Sequence, residues 1–339
     1  MDRTRVLLLF GGESSEHDVS VSSARNVFAA LDDDKYDVQI CHIDKHGKWW
    51  LVDEVSGEMD FNEAEQIVPV LGEHGFTSLD GGSSLRPDVI FPVLHGKNGE
   101  DGSVQGLAQL LHIPIVGCGV AASAIGMDKV ASKRLASEIG LTVVPYRVHR
   151  QGDSAPSYDD LHAELSDVMF VKPARAGSSV GVSKVTSSEE FAKALGEAHR
   201  HDAVVLIEKA INAREIETAV LGTPPHHQVS GVGEIVPGEE FYSYDDKYGA
   251  ASSATVQVPA DIGEDVVAKI QQQALDFFDA IGGSGLARVD FFVDGDDVYF
   301  NEINTMPGFT NISMYPKLWR EQGVNYSDLV DRLLEDTLE

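Results

Sequence analysis

Three oxygen-bearing side chains near the carboxyl end of the sequence, Asp290, Glu302 and Asn304, have the type and spacing to hold a hard divalent cation. They lie in two runs that alternate apolar and polar residues, LARVDFFV from Leu286 and DVYFNEIN from Asp297, joined at Asp294 to Asp297. Alternation of period two predicts strands, and in a strand every second side chain shares a face. Arg288, Asp290 and Phe292 are therefore expected on one face, and Phe300, Glu302 and Asn304 together on one face of the returning strand. Folding about Gly295 and Asp296 sets Asp290 abreast of Glu302, to within a residue. Carboxylate and amide oxygens, completed by water and substrate phosphates, are the usual shell of Mg²⁺. An internal salt bridge of Arg288 with Asp290 or Glu302 fits the same spacing, and spacing alone leaves both readings open.

Other stretches carry complementary chemistry. VKPARAGSSVGVSKV, Val171 to Val185, ends an apolar run on Lys172 and enters a turn rich in Gly and Ser, whose N–H groups and hydroxyls suit phosphate oxygens. It has neither the Walker pattern nor GxGxxG spacing, and a glycine-rich hairpin without a ligand would read alike. Lys129, after Met127 and Asp128, is a second phosphate candidate or a surface lysine. LIEKAI, Leu206 to Ile211, sets Glu208, Lys209 and Ile211 at a strand end with Glu215 beyond, a seat for adenine and ribose or a strand end with solvated charges. GGESSEHDVS carries Glu16, a partner for a substrate ammonium or a charge favourable at a helix N-terminus. LHGKNGEDG carries His95, which could equally cap a loop. FYSYDDKY, Phe241 to Tyr248, is too aromatic for an idle linker and reads as a lid or a packed loop.

Elements must position these groups. Apolar runs at Val6 to Phe10, Val38 to Ile43, Val89 to Val93 and Ile115 to Val116 predict buried strands; Val104, Leu107, Ala108 and Leu111 have helical spacing between two of them. Strands alternating with helices predict an open parallel, Rossmann-like α/β sheet over residues 1–118, with ligand groups where strands give way to loops. A central lobe is expected over 119–208, with a helix around Glu189 to His199, and a third over 209–339 with a long helix from Glu264 to Ile281.

Composition narrows the partners. With 26 Lys and Arg against 55 Asp and Glu, a net charge of −29 argues against nucleic-acid surfaces and anionic lipid, so a polyanionic ligand must meet locally placed cations. The first apolar run, Val6 to Phe10, is too short for a signal peptide or membrane span, and Cys41 and Cys118 suggest no disulfide framework; a reducing cytoplasm is expected.

In this order, GGESSEHDVS, HGKNGEDG, GMDK, VKPARAGSSVGVSKV, IEKAINAREIE, FYSYDDKY, GLARVDFF and NEINTMPGFT resemble the D-alanine:D-alanine ligases of the ATP-grasp superfamily. The resemblance spans nearly the whole chain. It implies a cytoplasmic, homodimeric enzyme of three α/β lobes that uses ATP and two Mg²⁺ ions, with Mn²⁺ able to substitute, to join two D-alanines for peptidoglycan precursors. By the same likeness Lys129, Lys172, Ser179 and Lys247 contact ATP around the loop Ala176 to Gly181. Glu208, Lys209, Ile211 and Glu215 seat adenine and ribose, and Asp290, Glu302 and Asn304 ligate metal. Glu16, with His95 nearby, receives the first D-alanine ammonium, and Ser178 and Tyr248 link to Glu16 and close the lid. Ser313 holds the second carboxylate, while Arg288 and the N–H of Gly308 face the reacting carboxyl oxygen.

Ala176 stands where many relatives carry Glu, so contacts within that loop are expected to differ. Tyr248 stands where D-alanine:D-lactate ligases carry His, which favours an amine nucleophile; D-serine ligases can keep the tyrosine. A non-catalytic nucleotide-binding relic is the alternative of another class, and it should have lost a metal ligand or Arg288, all of which are present.

Overall fold

The computed structural model describes residues 3–57, 61, 64–236 and 255–339. The first sheet contains β1 (Thr4–Gly11), β2 (Tyr36–Ile43), β3 (Trp49–Val52), β4 (Glu65–Val70), β5 (Gly75–Ser78), β6 (Ser84–Leu85) and β7 (Val89–Val93), in the order β6-β5-β4-β3-β2-β1-β7. Only β2, β1 and β7 run parallel; β3 to β6 extend the sheet as antiparallel strands. The expected parallel sheet is thus one end of it, with β7 at the edge. Residues 115–116 form no strand, and Ile115 makes a single bridge to Ile90.

The continuous apolar run in β1 follows from burial on both faces. Val6, Leu8 and Phe10 join one core, while Leu7 and Leu9 join another across the sheet. The helices α1 (His17–Ala30) and α2 (Ser103–Leu111) lie in this part of the chain, α2 at the position its spacing predicts. Next come α3 (Val120–Met127) and α4 (Lys129–Glu138). Asp128 caps α4, its side chain accepting from the N–H groups of Val130 and Ala131 at 3.0 Å each, which fixes where Lys129 enters the helix.

A second, antiparallel sheet orders β8 (Tyr146–Arg150), β9 (Met169–Pro173), β10 (Ser183–Val185) and β11 (Val204–Lys209) as β10-β9-β11-β8. Leu161 of α5 (Tyr158–Glu164) and Phe191 of α6 (Ser188–His201) share its apolar core. The third sheet contains β12 (Arg214–Leu221), β13 (Gln228–Val236), β14 (Thr255–Gln257), β15 (Leu286–Asp294) and β16 (Asp297–Asn304), ordered β14-β13-β12-β15-β16. Its core includes Ile270 and Phe277 of α7 (Glu264–Ala280). The last helices, α8 (Met314–Glu321) and α9 (Tyr326–Leu338), return to the start of the chain, so Leu333 and Leu334 share a core with Val6 and Leu8. The Tyr36 hydroxyl donates to Asp331 at 2.7 Å across the same seam.

The β15–β16 hairpin departs from simple alternation. Asp290 pairs with Glu302, but Phe291 pairs with Phe300, so a bulge at Asn301 breaks the period. Phe300 consequently turns into the core against Phe277 and Phe291 instead of sharing the face of Glu302 and Asn304. The extra residue reverses which side of the sheet the strand presents.

Candidate active site

The glycine-rich turn after β1 builds the first part of the site. Gly11 has φ +91°, and a Cβ there would lie 2.3 Å from the Ile43 carbonyl oxygen, so only glycine fits. The Gly11 N–H donates to Ser20 Oγ at 2.7 Å, docking the turn on α1. Glu16 occupies the N-cap position of α1 and is 8% exposed, yet its side chain does not cap the helix. Its carboxylate instead accepts a hydrogen bond from the Ser178 hydroxyl. A Cβ on Gly96 would lie 2.8 Å from Glu16 Oε2 and one on Gly177 3.0 Å, so two glycines make room for this carboxylate. Ser178 and Ser179 hold φ values of +50° and +58°, left-handed backbone that aims the loop toward α1.

His95 ties this region to the chain beyond β16. Its Nδ1 lies 3.1 Å from the Met306 carbonyl oxygen and its Nε2 3.2 Å from Ser23 Oγ, which also accepts from the Phe309 N–H at 3.2 Å. Glu100, which the sequence reading did not select, is 3.9 Å from His95 Nδ1. Burial would lower the His95 pKa, but Glu100 and Glu16 outweigh it and raise it; burial also raises that of Glu100.

On the third sheet, Arg288 donates through Nε to Asp290 Oδ1 at 2.8 Å and through Nη2 to Asp290 Oδ2 at 2.7 Å. Glu217, also missed from sequence, reaches Arg288 Nε at 3.0 Å. Glu217, Asp290 and Glu302 face one another in register across β12, β15 and β16. Like charges so placed repel unless a cation intervenes, and Arg288 supplies one. Burial opposes the Arg288 charge, but Asp290 and Glu217 hold its pKa well above the ordinary arginine value. The salt-bridge reading of this hairpin is therefore realised, with the side-chain oxygens of Glu302 and Asn304 at the cleft beside it. Lys129 lies 3.2 Å from Glu302 Oε2 and donates to the Ala176 carbonyl at 2.9 Å, joining the third sheet to the glycine-rich loop.

A second cationic cluster lies in the central sheet. Lys172 Nζ is 2.5 Å from Glu208 Oε2, and Lys133 Nζ is 2.7 Å from Glu208 Oε1. Glu208 is 2% exposed, so it is no solvated strand end. Lys209 is half-buried and its N–H bonds the Pro145 carbonyl; Ile211 follows in the connection to β12, and the Glu215 charge helps to raise the Lys172 pKa.

A cleft of about 880 Å³ is lined by Glu16, His95, Lys129, Ser178, Arg288, Glu302, Asn304, Gly308 and Ser313, together with Glu100 and Glu217. Ser313 Oγ accepts from the Thr310 N–H at 3.0 Å, and a Cβ on Gly308 would lie 2.8 Å from that oxygen. Asp290 sits behind Arg288 and, like Lys172, Ser179, Glu208, Lys209, Ile211 and Glu215, is not in this lining. Lys247 and Tyr248 lie outside the described residues.

The donor chemistry fits a hard divalent ion. Glu302 and Asn304 offer oxygens on the face that Asp290 shares. Among the described residues no three His, Cys, Asp or Glu side chains converge on one point, so phosphate and water oxygens would have to complete the shell.

Three sheets around one cleft lined by lysine, arginine, carboxylates and a glycine-rich turn define an ATP-grasp ligase. Residues 5–118 match the family model described as D-ala D-ala ligase N-terminus, and residues 135–335 the one described as D-ala D-ala ligase C-terminus. The chain is 45% identical to the D-alanine–D-alanine ligase of Sodalis glossinidius (strain morsitans), covering 98% of this chain and 94% of that one. The solved D-alanine-D-alanine ligase from Coxiella burnetii superposes with a TM-score of 0.87 at 36% identity, covering 99% of this chain and 95% of that one. The VanG D-Ala:D-Ser ligase from Enterococcus faecalis gives 0.89 at 34% identity, covering 99% and 100%. The chain belongs to the D-alanine–D-alanine ligase family.

Proposed function

We propose that this protein joins two D-alanines, with ATP, into D-alanyl-D-alanine through a D-alanyl phosphate, supplying peptidoglycan precursors. The observation that carries this reading is the convergence of the Glu16 carboxylate, Arg288, the Glu302–Asn304 pair and the Gly308–Ser313 corner on a single cleft. Glu16, positioned by Ser178, receives the ammonium of the first D-alanine, with His95 beside it. Lys129, Lys172 and Lys247 neutralise phosphate charge, with Ser179 in the loop over the phosphates. Glu208, Lys209, Ile211 and Glu215 form the adenine and ribose edge.

Asp290, Glu302 and Asn304 would hold two Mg²⁺ ions, or Mn²⁺ in their place, which when bound offset the repulsion between carboxylate and triphosphate. The first carboxylate attacks the γ-phosphorus, and ADP departs. The amine of the second D-alanine, its carboxylate at Ser313, then attacks the acyl carbon, and phosphate leaves. Arg288 and the Gly308 N–H stabilise the tetrahedral oxyanion. Tyr248 closes the lid against hydrolysis of the acyl phosphate.

In this reading the chain divides into lobes at 118 and 208, works in the cytoplasm and forms a homodimer. Among the described residues no helix is long and apolar enough to cross a membrane. Likeness to the VanG D-Ala:D-Ser ligase supports D-serine as the second reading for the nucleophile. Phosphate release with D-alanine alone, and then with D-serine or D-lactate added, tests both readings. ADP formation that does not depend on D-alanine overturns the main one.

A further inference from the structure

Lys133 is the most deeply buried lysine side chain among the ion pairs of the described residues, with 1% of it accessible, against 14% for Lys172. Both ammonium groups address one carboxylate. Lys133 Nζ is 2.7 Å from Glu208 Oε1, an ion pair set off the hydrogen-bond axis, and Lys172 donates to Oε2 at 2.5 Å. Lys172 faces Leu206 in the β9–β11 register, so it reaches Glu208 diagonally along the same face. Lys133 comes from α4, one turn beyond Lys129, and Lys129 bonds the glycine-rich loop at Ala176. One helix thus sends one lysine to the loop and the next to the carboxylate behind Lys172.

We propose that Lys133 is a positioning residue for nucleotide binding: by neutralising Glu208 from behind, it leaves Lys172 free to turn toward phosphate. The proposal rests on the reading of Lys172 as a phosphate contact. Glu208 is too buried to stay charged without a cation. With Lys133 present, Lys172 can leave Oε2 without stranding that charge. Without Lys133, Lys172 becomes the sole partner of Glu208, and an incoming triphosphate must compete with a buried carboxylate for it.

Burial alone would raise the Glu208 pKa, yet Lys133 and Lys172 outweigh it and bring it to about 2. Burial, joined by the charge of Lys172, lowers the Lys133 pKa against the pull of Glu208, whereas for Lys172 the carboxylates prevail over burial. The inner lysine is therefore the one that depends on Glu208 for its charge.

The test is equilibrium binding of the β,γ-imido analogue of ATP with Mg²⁺ and no D-alanine, on variants whose fold is verified by circular dichroism. Lys133→Met is expected to weaken binding about tenfold, within the range of couplings in contacting ionic networks. In a Glu208→Gln background the same substitution is expected to cost less than about twofold, because Lys133 acts through that carboxylate. An equal loss in both backgrounds, or none in the wild-type background, overturns the proposal. Should Lys133→Met fail to fold, the comparison of Glu208→Gln with Glu208→Gln/Lys133→Met still decides it: equal affinities support the proposal, and a further tenfold loss overturns it. Lys172→Met is the control, and wild-type affinity there overturns the phosphate reading itself, and this proposal with it.

Discussion

The Ser178 hydroxyl donates a hydrogen bond to the Glu16 carboxylate across 162 positions of sequence, joining the glycine-rich turn of the central sheet to the first helix. In the proposed function, closing the loop over the nucleotide and positioning the first substrate's ammonium would thereby be one mechanical event. Ser178→Ala removes a hydrogen bond to a charged group, worth roughly 1.5–3 kcal/mol. The KM for D-alanine at saturating ATP is expected to rise at least ~10-fold, while nucleotide affinity changes far less. Initial rates across D-alanine concentrations check this, and an unchanged KM would detach Ser178 from the substrate site.

Glu302→Gln keeps the shape of the side chain and removes its charge beside Lys129 and Asp290. Turnover is expected to fall on the order of 100-fold or more, with the melting temperature nearly unchanged and a higher Mg²⁺ concentration needed for half-maximal rate. A variant that melts early but keeps full activity per folded molecule would make Glu302 a structural ion-pair residue.

His42 links pH to stability. Its Nε2 lies 3.2 Å from His17 Nε2, and His17 Nδ1 is 2.7 Å from the Gly12 carbonyl oxygen. A carbonyl only accepts, so His17 donates through Nδ1 and receives the His42 Nε2 proton; His42 Nδ1 is left buried and bare among the described residues. Burial, then the neighbouring His17, lowers the His42 pKa to about 4. Because the folded pKa lies below the unfolded value, the unfolded chain binds the proton first as pH falls. Unfolding free energy is expected to decline from about pH 6.5 toward about pH 4. Urea titrations of wild type and His42→Phe measure it; an identical slope in both removes His42 as the cause.

Gly285 has φ +69°, and a Cβ there would lie 2.9 Å from both N and Cα of Gly117, where the chain leaves the first sheet. Gly285→Ala is expected to cost at least ~2 kcal/mol from the left-handed backbone and the clash with main chain. Thermal unfolding checks this, and a loss under ~0.5 kcal/mol would mean that the junction yields.

The hairpin was legible because alternation and Gly295 give strand, turn and register, and Asp290 then falls abreast of Glu302 to within the one residue that the bulge adds. The bulge was not, since nothing in FNEIN distinguishes an unpaired Asn301 from a paired one. Lys133 escaped notice because KRLASE reads as a solvated helix face; its spacing of four from Lys129 was the available signal. Glu217 hid in EIETAVLG between Glu215 and Thr218, where nothing local sets it apart, and Glu100 in a polar loop. The antiparallel extension β3 to β6 consists of short strands whose pairing is set by neighbours distant from any local pattern.

The bulge at Asn301 gives β16 something like a reading frame. Before it, Val298 and Phe300 are written for the core; after it, Glu302 and Asn304 are written for the cleft. Pairing Asn301 in regular register with Asp290 would not merely straighten the strand. It would send Glu302 toward Phe277 and Phe291 and turn Ile303 outward, exchanging chemistry for grease in a single step. Lineages of this chain should therefore vary the hairpin's letters far more readily than its register.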